Sequence, residues 1–238
     1  MSALQDWLLT AVAQSEEVDF AASQSRGLMA PQVQNPNQPE YIAFLNKCVT
    51  VRDVTNMAAG RDVRIVSCED SYLYIGTHVD CIQISKCVNC VVFVSAATRA
   101  CTLEKCENVT VTVAAEYLRI GNCVDCQIYS YTQLSPPVIF GDTRSLMLAP
   151  HNASYPELKN TLSDAGINWR EPSMLEQRLS FFSKPLLMRV PRQAVSLISA
   201  LDFMKMAMPK KFGEAALFLC PAEFSQMMQL RVEKLAEL

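Results

Sequence analysis

Short runs in which hydrophobic and polar residues alternate fill the chain from about Tyr41 to Pro150, and the runs recur. Val63-Arg64-Ile65-Val66-Ser67-Cys68 aligns with Ile82-Gln83-Ile84-Ser85-Lys86-Cys87. It aligns again with Cys101-Thr102-Leu103-Glu104-Lys105-Cys106 and with Leu118-Arg119-Ile120-Gly121-Asn122-Cys123. A weaker fifth copy is Val138-Ile139-Phe140-Gly141-Asp142-Thr143. The closing residues, at 68, 87, 106, 123 and 143, lie 19, 19, 17 and 20 residues apart. A second alternating run follows, holding Leu73 and Ile75, Val92 and Val94, Val111 and Val113, and Ile128. A period near 19 that contains two or three short strands is one coil of a parallel β-helix. Leucine-rich repeats share that length range, but their Leu-Asn signature is absent. A single coil cannot bury its inward side chains, whereas a stack of coils encloses one continuous core.

Strand alternation sends the first and third residues of each copy inward and the second outward. Arg64, Gln83, Thr102 and Arg119 then form one outward row, and Tyr74, Phe93, Thr112 and Tyr129 a second. The second row is too apolar to leave bare, so the N-terminal helix or the C-terminal segment is expected to cover it, the rival being a partner surface. Val111 and Val113 face inward, so Val111→Asp is expected to be severe. Thr112→Asp is expected to be mild if the cover is loose there.

The flanks read differently. Leu4, Trp7, Leu8, Ala11 and Val12 have helical spacing, and Pro31, Pro36 and Pro39 mark a linker. Beyond Pro150, Met, Leu and Phe fall in helical patterns, and a last helix is expected to start near Pro221 and carry Phe224, Met227, Met228 and Leu235. The resulting organisation is an N-terminal helix and linker over residues 1–40, a β-helix domain over 41–158 and a helical extension over 159–238. The fold class is mainly β with flanking α-helices: a right-handed, three-sided parallel β-helix of about five coils, clasped by helical segments.

Composition narrows the function. Of 238 residues half are hydrophobic and 19% charged, with a formal net charge of -3, which suits a large core. No basic stripe of the kind that nucleic acid demands is visible. The chain start has neither the charged opening nor the apolar run of a signal peptide, and no run reaches the length of a membrane span. A soluble, cytoplasmic protein with reduced thiols is expected.

Among the ten cysteines, Cys87-x-x-Cys90 and Cys123-x-x-Cys126 have the look of two halves of a zinc site. The repeat offers another account, because Cys68, Cys87, Cys106 and Cys123 share one position. Coils stack about 4.8 Å apart, so Cys87 and Cys123 should lie roughly 10 Å from each other. Zinc–sulfur bonds of about 2.3 Å do not span that gap. A ladder of small apolar thiols at an inside corner is expected, with no metal and no cofactor.

Two stretches carry a family resemblance: Ala114-Ala115-Glu116-Tyr117-Leu118-Arg119 and Ala149-Pro150-His151-Asn152-Ala153-Ser154-Tyr155-Pro156-Glu157. They resemble the tubulin-binding cofactor C domain, whose members read Ala-Cys-Gln-Gln-Leu-Arg and then Ala-Pro followed by Ser-Tyr-Pro-Glu. Phe218-Leu219-Cys220-Pro221-Ala222-Glu223-Phe224 looks more like the branch called TBCC domain-containing proteins. The resemblance implies a β-helix related to the C-terminal domain of cyclase-associated proteins. It implies tubulin or small Arf-like GTPases as partners, and a cytoskeletal location at the centrosome, basal body or cilium. In cofactor C and its retinitis pigmentosa relative the motif arginine is a finger for GTP hydrolysis, a role that maps onto Arg119. The two glutamines before it are replaced here by Glu116 and Tyr117.

The spacing singles out Arg119 independently. Seven steps separate Ile75 from Ile82 and Val94 from Cys101, but five separate Val113 from Leu118, so the corner before Arg119 is two residues tighter. The candidate partner-binding residues are Arg64, Gln83, Thr102, Glu116, Tyr117 and Arg119. The leading expectation is a cytoskeletal adaptor. Its rivals are GTPase activation through Arg119 and an actin-directed module like the cyclase-associated relatives. His78 and His151, the only histidines, pair with no nucleophile at a recognisable spacing, and Lys210-Lys211 reads as a solvated turn.

Overall fold

A computed structural model describes residues 38–133, 136–167 and 185–213, together with Phe224, Gln226 and Leu230. Among these residues, eleven strands form one sheet, and every pairing in it is parallel. They are β1 (Glu40–Ala43), β2 (Val49–Arg52), β3 (Arg61–Val66), β4 (Tyr72–Ser85), β5 (Val91–Glu104), β6 (Thr110–Gly121), β7 (Gln127–Thr132), β8 (Val138–Phe140), β9 (Leu146–Pro150), β10 (Leu186–Met188) and β11 (Val195–Leu197). A short helix, α1 (Leu158–Asp164), follows β9, and single 3₁₀ turns occupy Arg192–Ala194 and Lys210–Phe212. The N-terminal helix expected over residues 3–14 lies outside the described residues, as do Met227, Met228 and Leu235. Phe224 is helical and buried.

The stack is a β-solenoid. Each coil makes a tight corner between its two strand segments, and the corner is held by a single bridging residue. These bridges run Asn46, Glu69, Val88, Glu107, Val124 and Arg144 from one coil to the next. Two left-handed residues flank each bridge, for instance Lys86 and Asn89, or Asn122 and Asp125. Asn and Asp tolerate that conformation better than other residues with a β-carbon, so they recur there. Their side chains also bond along the stack: Asn108 donates to Asn89 at 2.9 Å, and Asn89 donates to Asp70 at 3.0 Å.

Six bridged corners make about six coils, one more than the five copies read from the sequence. The additional coil comes first, in β1 and β2. It carries Leu45 where later coils carry cysteine, and its repeat is stretched to 23 residues between Asn46 and Glu69 by the excursion before Gly60. The fifth copy also needs a correction of one residue. Ile139 faces Ile120, and Val138 faces Arg119, so Ile139 is the inward residue and Val138 lies outside. An extra residue in the corner between Phe140 and Ser145 causes the slip, and the left-handed Gly141 (φ 69°) absorbs it. A further partial turn is added by β10 on β8 and β11 on β9.

Inside, Val63, Ile65, Ile82, Ile84, Cys101, Leu103, Leu118 and Ile120 line the β3–β6 wall, buried as the alternation requires. Val92, Val94, Val111, Val113 and Ile128 line the opposite wall. Each such aliphatic contributes about 1.5–3 kcal/mol relative to exposure. The two walls meet at the corner, where the thiols pack. Cys68, Cys87, Cys106 and Cys123 form one column, completed by Thr143, and Cys90 and Cys126 belong to a second column. The C-x-x-C spacing is thus the distance between two columns of one corner.

The second outward row is covered. Val51, Tyr74, Phe93, Thr112, Tyr129 and Ala149 are successive register partners. Residues 151–167, including α1, and a strap over residues 198–213 lie on this row. Phe93 meets Tyr155 and Phe212 edge-on, at 5.7 and 5.8 Å between ring centroids. Tyr129 meets Phe203 at 5.8 Å, and Phe203 in turn meets Phe224. The C-terminal segment is therefore a cover, and the reading of this row as a partner surface falls. Thr112 is fully buried, and its hydroxyl donates to Asn152 Oδ1 at 2.7 Å, so the cover is tight there and the condition under which a charge at Thr112 would be tolerated is not met. Lys210 and Lys211 lie exposed in a 3₁₀ turn, as expected, and Lys211 also pairs with Asp53, which ties the strap to the first coil.

Candidate functional site

Among the described residues, nothing covers the first outward row. Tyr41, Arg64, Gln83, Thr102, Arg119 and Val138 are register partners in that order, so all four residues expected in the row stand in one file across β3, β4, β5 and β6. Gln83 and Arg119 are exposed, and Arg64 and Thr102 are half-buried. Parallel strands hold neighbours in such a file about 4.8 Å apart. Towards the first coil, the Arg64 guanidinium lies 5.7 Å from the centre of the Tyr41 ring and donates to its hydroxyl at 3.2 Å.

The tight corner before Arg119 is present: β6 has 12 residues where β4 and β5 have 14 each. Ala114 and Ala115 are buried at its base, Glu116 is half-buried on its rim, and Tyr117 is 44% exposed despite its aromatic ring. Glu116 and Tyr117 therefore sit at the near edge of the same face as Arg119.

Arg119 does not stand free in solvent. Its guanidinium carbon lies 5.4 Å from the centre of the Phe140 ring, a cation–π contact worth about 0.5–1 kcal/mol at an exposed site. Phe140 reaches that position because its strand partner is Gly121, where an added Cβ would come within 2.4 Å of the ring. Both Phe140 and Gly121 escaped the sequence reading, because the one-residue slip of the fifth copy hid their pairing. Beside the row, Arg99 is clamped by Asp80, with Nε on Oδ1 at 2.7 Å, and lies 3.9 Å from Asp62. The face therefore offers both signs of charge.

The corner thiols are not alike in acidity: contact with Cys106 and Cys126 lowers Cys123, and contact with Cys87 lowers Cys90. Burial pushes Cys101 up to about 12. Contact with Cys106, then with Cys68 and Cys90, together with burial, raises Cys87 further. Corner carbonyls accept from these sulfurs, as Gly121 does from Cys123 at 3.2 Å and Val88 from Cys90 at 3.3 Å. Among the described residues, no group of three or more His, Cys, Asp or Glu is arranged to hold a metal ion. Nor is any helix among them long and apolar enough to cross a membrane. His151 is buried under the cover with neither ring nitrogen hydrogen-bonded, and burial lowers it to about 4, so its ring is neutral. His78 is half-buried in the bend of β4.

The model of the family described as tubulin binding cofactor C matches residues 60–179, half of the chain. The chain belongs to the tubulin binding cofactor C family. The matched span holds Arg64, Gln83, Thr102, Glu116, Tyr117 and Arg119. TBCC domain-containing protein 1 of Danio rerio is 27% identical over 116 residues, which are 47% of this chain and 20% of the relative. Tubulin-specific chaperone C of Homo sapiens is 23% identical over 116 residues, 47% of this chain and 33% of the relative. The chain thus spans a fifth to a third of the length of these relatives. Among solved structures, Tubulin Binding Cofactor C from Leishmania major aligns with a TM-score of 0.46 at 17% identity, over 63% of this chain and 95% of that one.

Proposed function

We propose that this chain is a cytoskeletal binding module that docks tubulin or a small Arf-like GTPase through the outward row centred on Arg119, at the centrosome, basal body or cilium. One observation carries the reading: in a cofactor C family chain, the strands present two outward rows, and only the charged one is left uncovered by the described residues. A parallel stack holds Arg64, Gln83, Thr102 and Arg119 in a fixed file, so a partner meets a preformed surface and little side-chain order is lost. The paired charges of Arg99 and Asp80 at its edge would favour one orientation of the partner. The name of the human relative supports tubulin as the partner class.

A second reading, GTPase activation, is favoured by the short corner that exposes Arg119. The contact with Phe140 does not forbid it. Leaving the ring costs about 0.5–1 kcal/mol, whereas an arginine finger supplies roughly 10³- to 10⁵-fold in rate. Docking without hydrolysis is preferred because Glu116 brings a carboxylate to the rim that would have to approach the partner's phosphates.

Capture of purified tubulin and of Arf-like GTPases, loaded with GDP or with GDP–aluminium fluoride, tests both readings. Docking predicts capture that is indifferent to aluminium fluoride, modestly weakened by Arg119→Ala, with hydrolysis at the partner's intrinsic rate. Capture that depends on aluminium fluoride, with single-turnover hydrolysis lost in Arg119→Ala, would establish activation instead. No capture of either partner class would remove both readings.

A further inference from the structure

Beyond the Arg119 row, on the far side of Phe140, the corner ladder comes to an end. Arg144 bridges back to Val124, and no bridge continues to the next turn of chain among the described residues. The corner of the sixth coil carries its extra residue here, and the last partial coil makes a wide turn through the 3₁₀ segment Arg192–Ala194. The two turns splay apart and leave an open cleft. Its apolar lining is Phe140, Met188, Pro191 and Ala194, with Met188 54% exposed.

The charge of the cleft runs against that of the chain. The whole molecule carries -3, but among the described residues the cleft is lined by Arg144, Arg189 and a single carboxylate, Asp142, while Arg192, not itself a lining residue, is exposed in the 3₁₀ turn between the lining residues Pro191 and Gln193. Asp142 is already engaged by Arg144 in a two-pronged pair, with both N–O distances 2.8 Å. Arg189 and Arg192 are exposed and have no ion pair among the described residues. Arg189 also holds a left-handed backbone (φ 61°) at the corner position where other coils place Lys86, Lys105 or Asn122.

We propose that this cleft binds an acidic peptide segment of a partner protein: carboxylates on Arg189 and Arg192, and an apolar or aromatic side chain against Met188, Pro191 and Phe140. Charge complementarity selects the occupant. Guanidinium forks match carboxylates two bonds at a time, and the apolar floor suits a peptide side chain and gives nothing to a bare phosphate. The cleft touches the docking row only through Phe140. It deepens the docking reading and rests on it for the existence of a protein partner.

The test is fluorescence polarisation with the full chain and a labelled twelve-residue peptide of Glu and Gly with one central Phe. A matched peptide with Gln for Glu serves as control. The expected result is saturable, salt-sensitive binding of the acidic peptide, with affinity at least tenfold lower for the Gln peptide and for the double variant Arg189→Glu/Arg192→Glu. The milder pair Arg189→Gln/Arg192→Gln guards against misfolding and should lose several-fold. Arg119→Ala should bind the peptide like the parent, so the cleft stands or falls apart from the Arg119 row. The proposal is overturned by equal binding of the Gln peptide, by undiminished binding in folded double variants, or by loss confined to Arg119→Ala. Displacement by inorganic phosphate at matched ionic strength and millimolar concentration would make this a phosphate site and would also overturn it.

Discussion

The same three strands present two outward rows with opposite fates. On β4, β5 and β6 one row reads Gln83, Thr102, Arg119, and the other reads Tyr74, Phe93, Thr112. Backbone geometry treats them alike, since both stand at outward positions of a parallel ladder. The difference lies in what each row can return for ordering a cover. Fixing a strap costs about 1–2 kcal/mol of backbone entropy per residue. A row containing Phe93, Tyr74 and Tyr129 offsets that cost with large apolar areas, whereas glutamine and arginine lose hydration under a cover. Outward is thus not the same as exposed. Thr112 makes the point within the covered row: a polar residue is tolerated there because Asn152 accepts from it while donating to the Met204 carbonyl at 2.9 Å.

The largest expected effect contrasts two threonines. Thr112→Asp would bury a carboxylate against the Asn152 carbonyl oxygen and should cost about 3 kcal/mol or more in urea unfolding. Thr102→Asp, on the bare row beside Arg119, should stay within about 0.5 kcal/mol. Comparable losses at both sites would break the distinction between the rows.

Nearly as large is a pH effect confined to the covered side. His151 titrates near 6.5 when unfolded, and burial lowers it to about 4 in the fold, so in that window the unfolded state binds the extra proton. Its contribution is present above pH 6.5 and is lost as pH falls towards 4, by up to about 3 kcal/mol. His151→Leu should flatten this slope in thermal melts between pH 4 and 7. An unchanged slope would mean that the ring is not held neutral under the cover.

Two glycines sharpen the comparison at intermediate size. An added Cβ at Gly76 would come within 2.5 Å of the Phe212 ring, which is wedged among Tyr74, Phe93 and Tyr155. Gly76→Ala should therefore cost about 1–3 kcal/mol by prising at the strap. Gly121→Ala meets Phe140 just as closely, but that ring is half-exposed on the bare side and can swing out. A cost below about 1 kcal/mol is expected there, and equal costs would show that Phe140 is as tightly held as Phe212.

Smallest of all is Arg119→Ala. Stability should move by about 0.5 kcal/mol, close to what an exposed cation–π contact supplies. A loss of several kcal/mol would recast Arg119 as part of the scaffold.

Much of this was legible in the chain, for reasons that trace to particular residues. The strict period-two alternation in Val63-Arg64-Ile65 and its copies sets which side chains enter the core, and that places Arg64, Gln83, Thr102 and Arg119 in one file before any coordinates. The five steps from Val113 to Leu118 set the short corner in advance. The first coil escaped because Leu45 replaces the cysteine marker and the chain lingers before Gly60. The fifth copy slipped because one inserted residue in a corner shifts every later side chain by one, and nothing local announces which corner residue is extra.

What the sequence determined by itself is therefore the part governed by short-range period: the coil, its inward and outward faces, and the columns of the thiol corner. What only the tertiary structure decided is which outward face the described residues cover and which they leave open. The strap reaches the row from residues far along the chain, as when the Tyr74 hydroxyl donates to the Ala207 carbonyl at 3.2 Å. Contacts between such distant segments depend on how each surface matches the other in shape and polarity. Neither surface carries that information alone, so the cover over Thr112, the Phe140 ring under Arg119 and the cleft beside it emerge only when the coils are stacked.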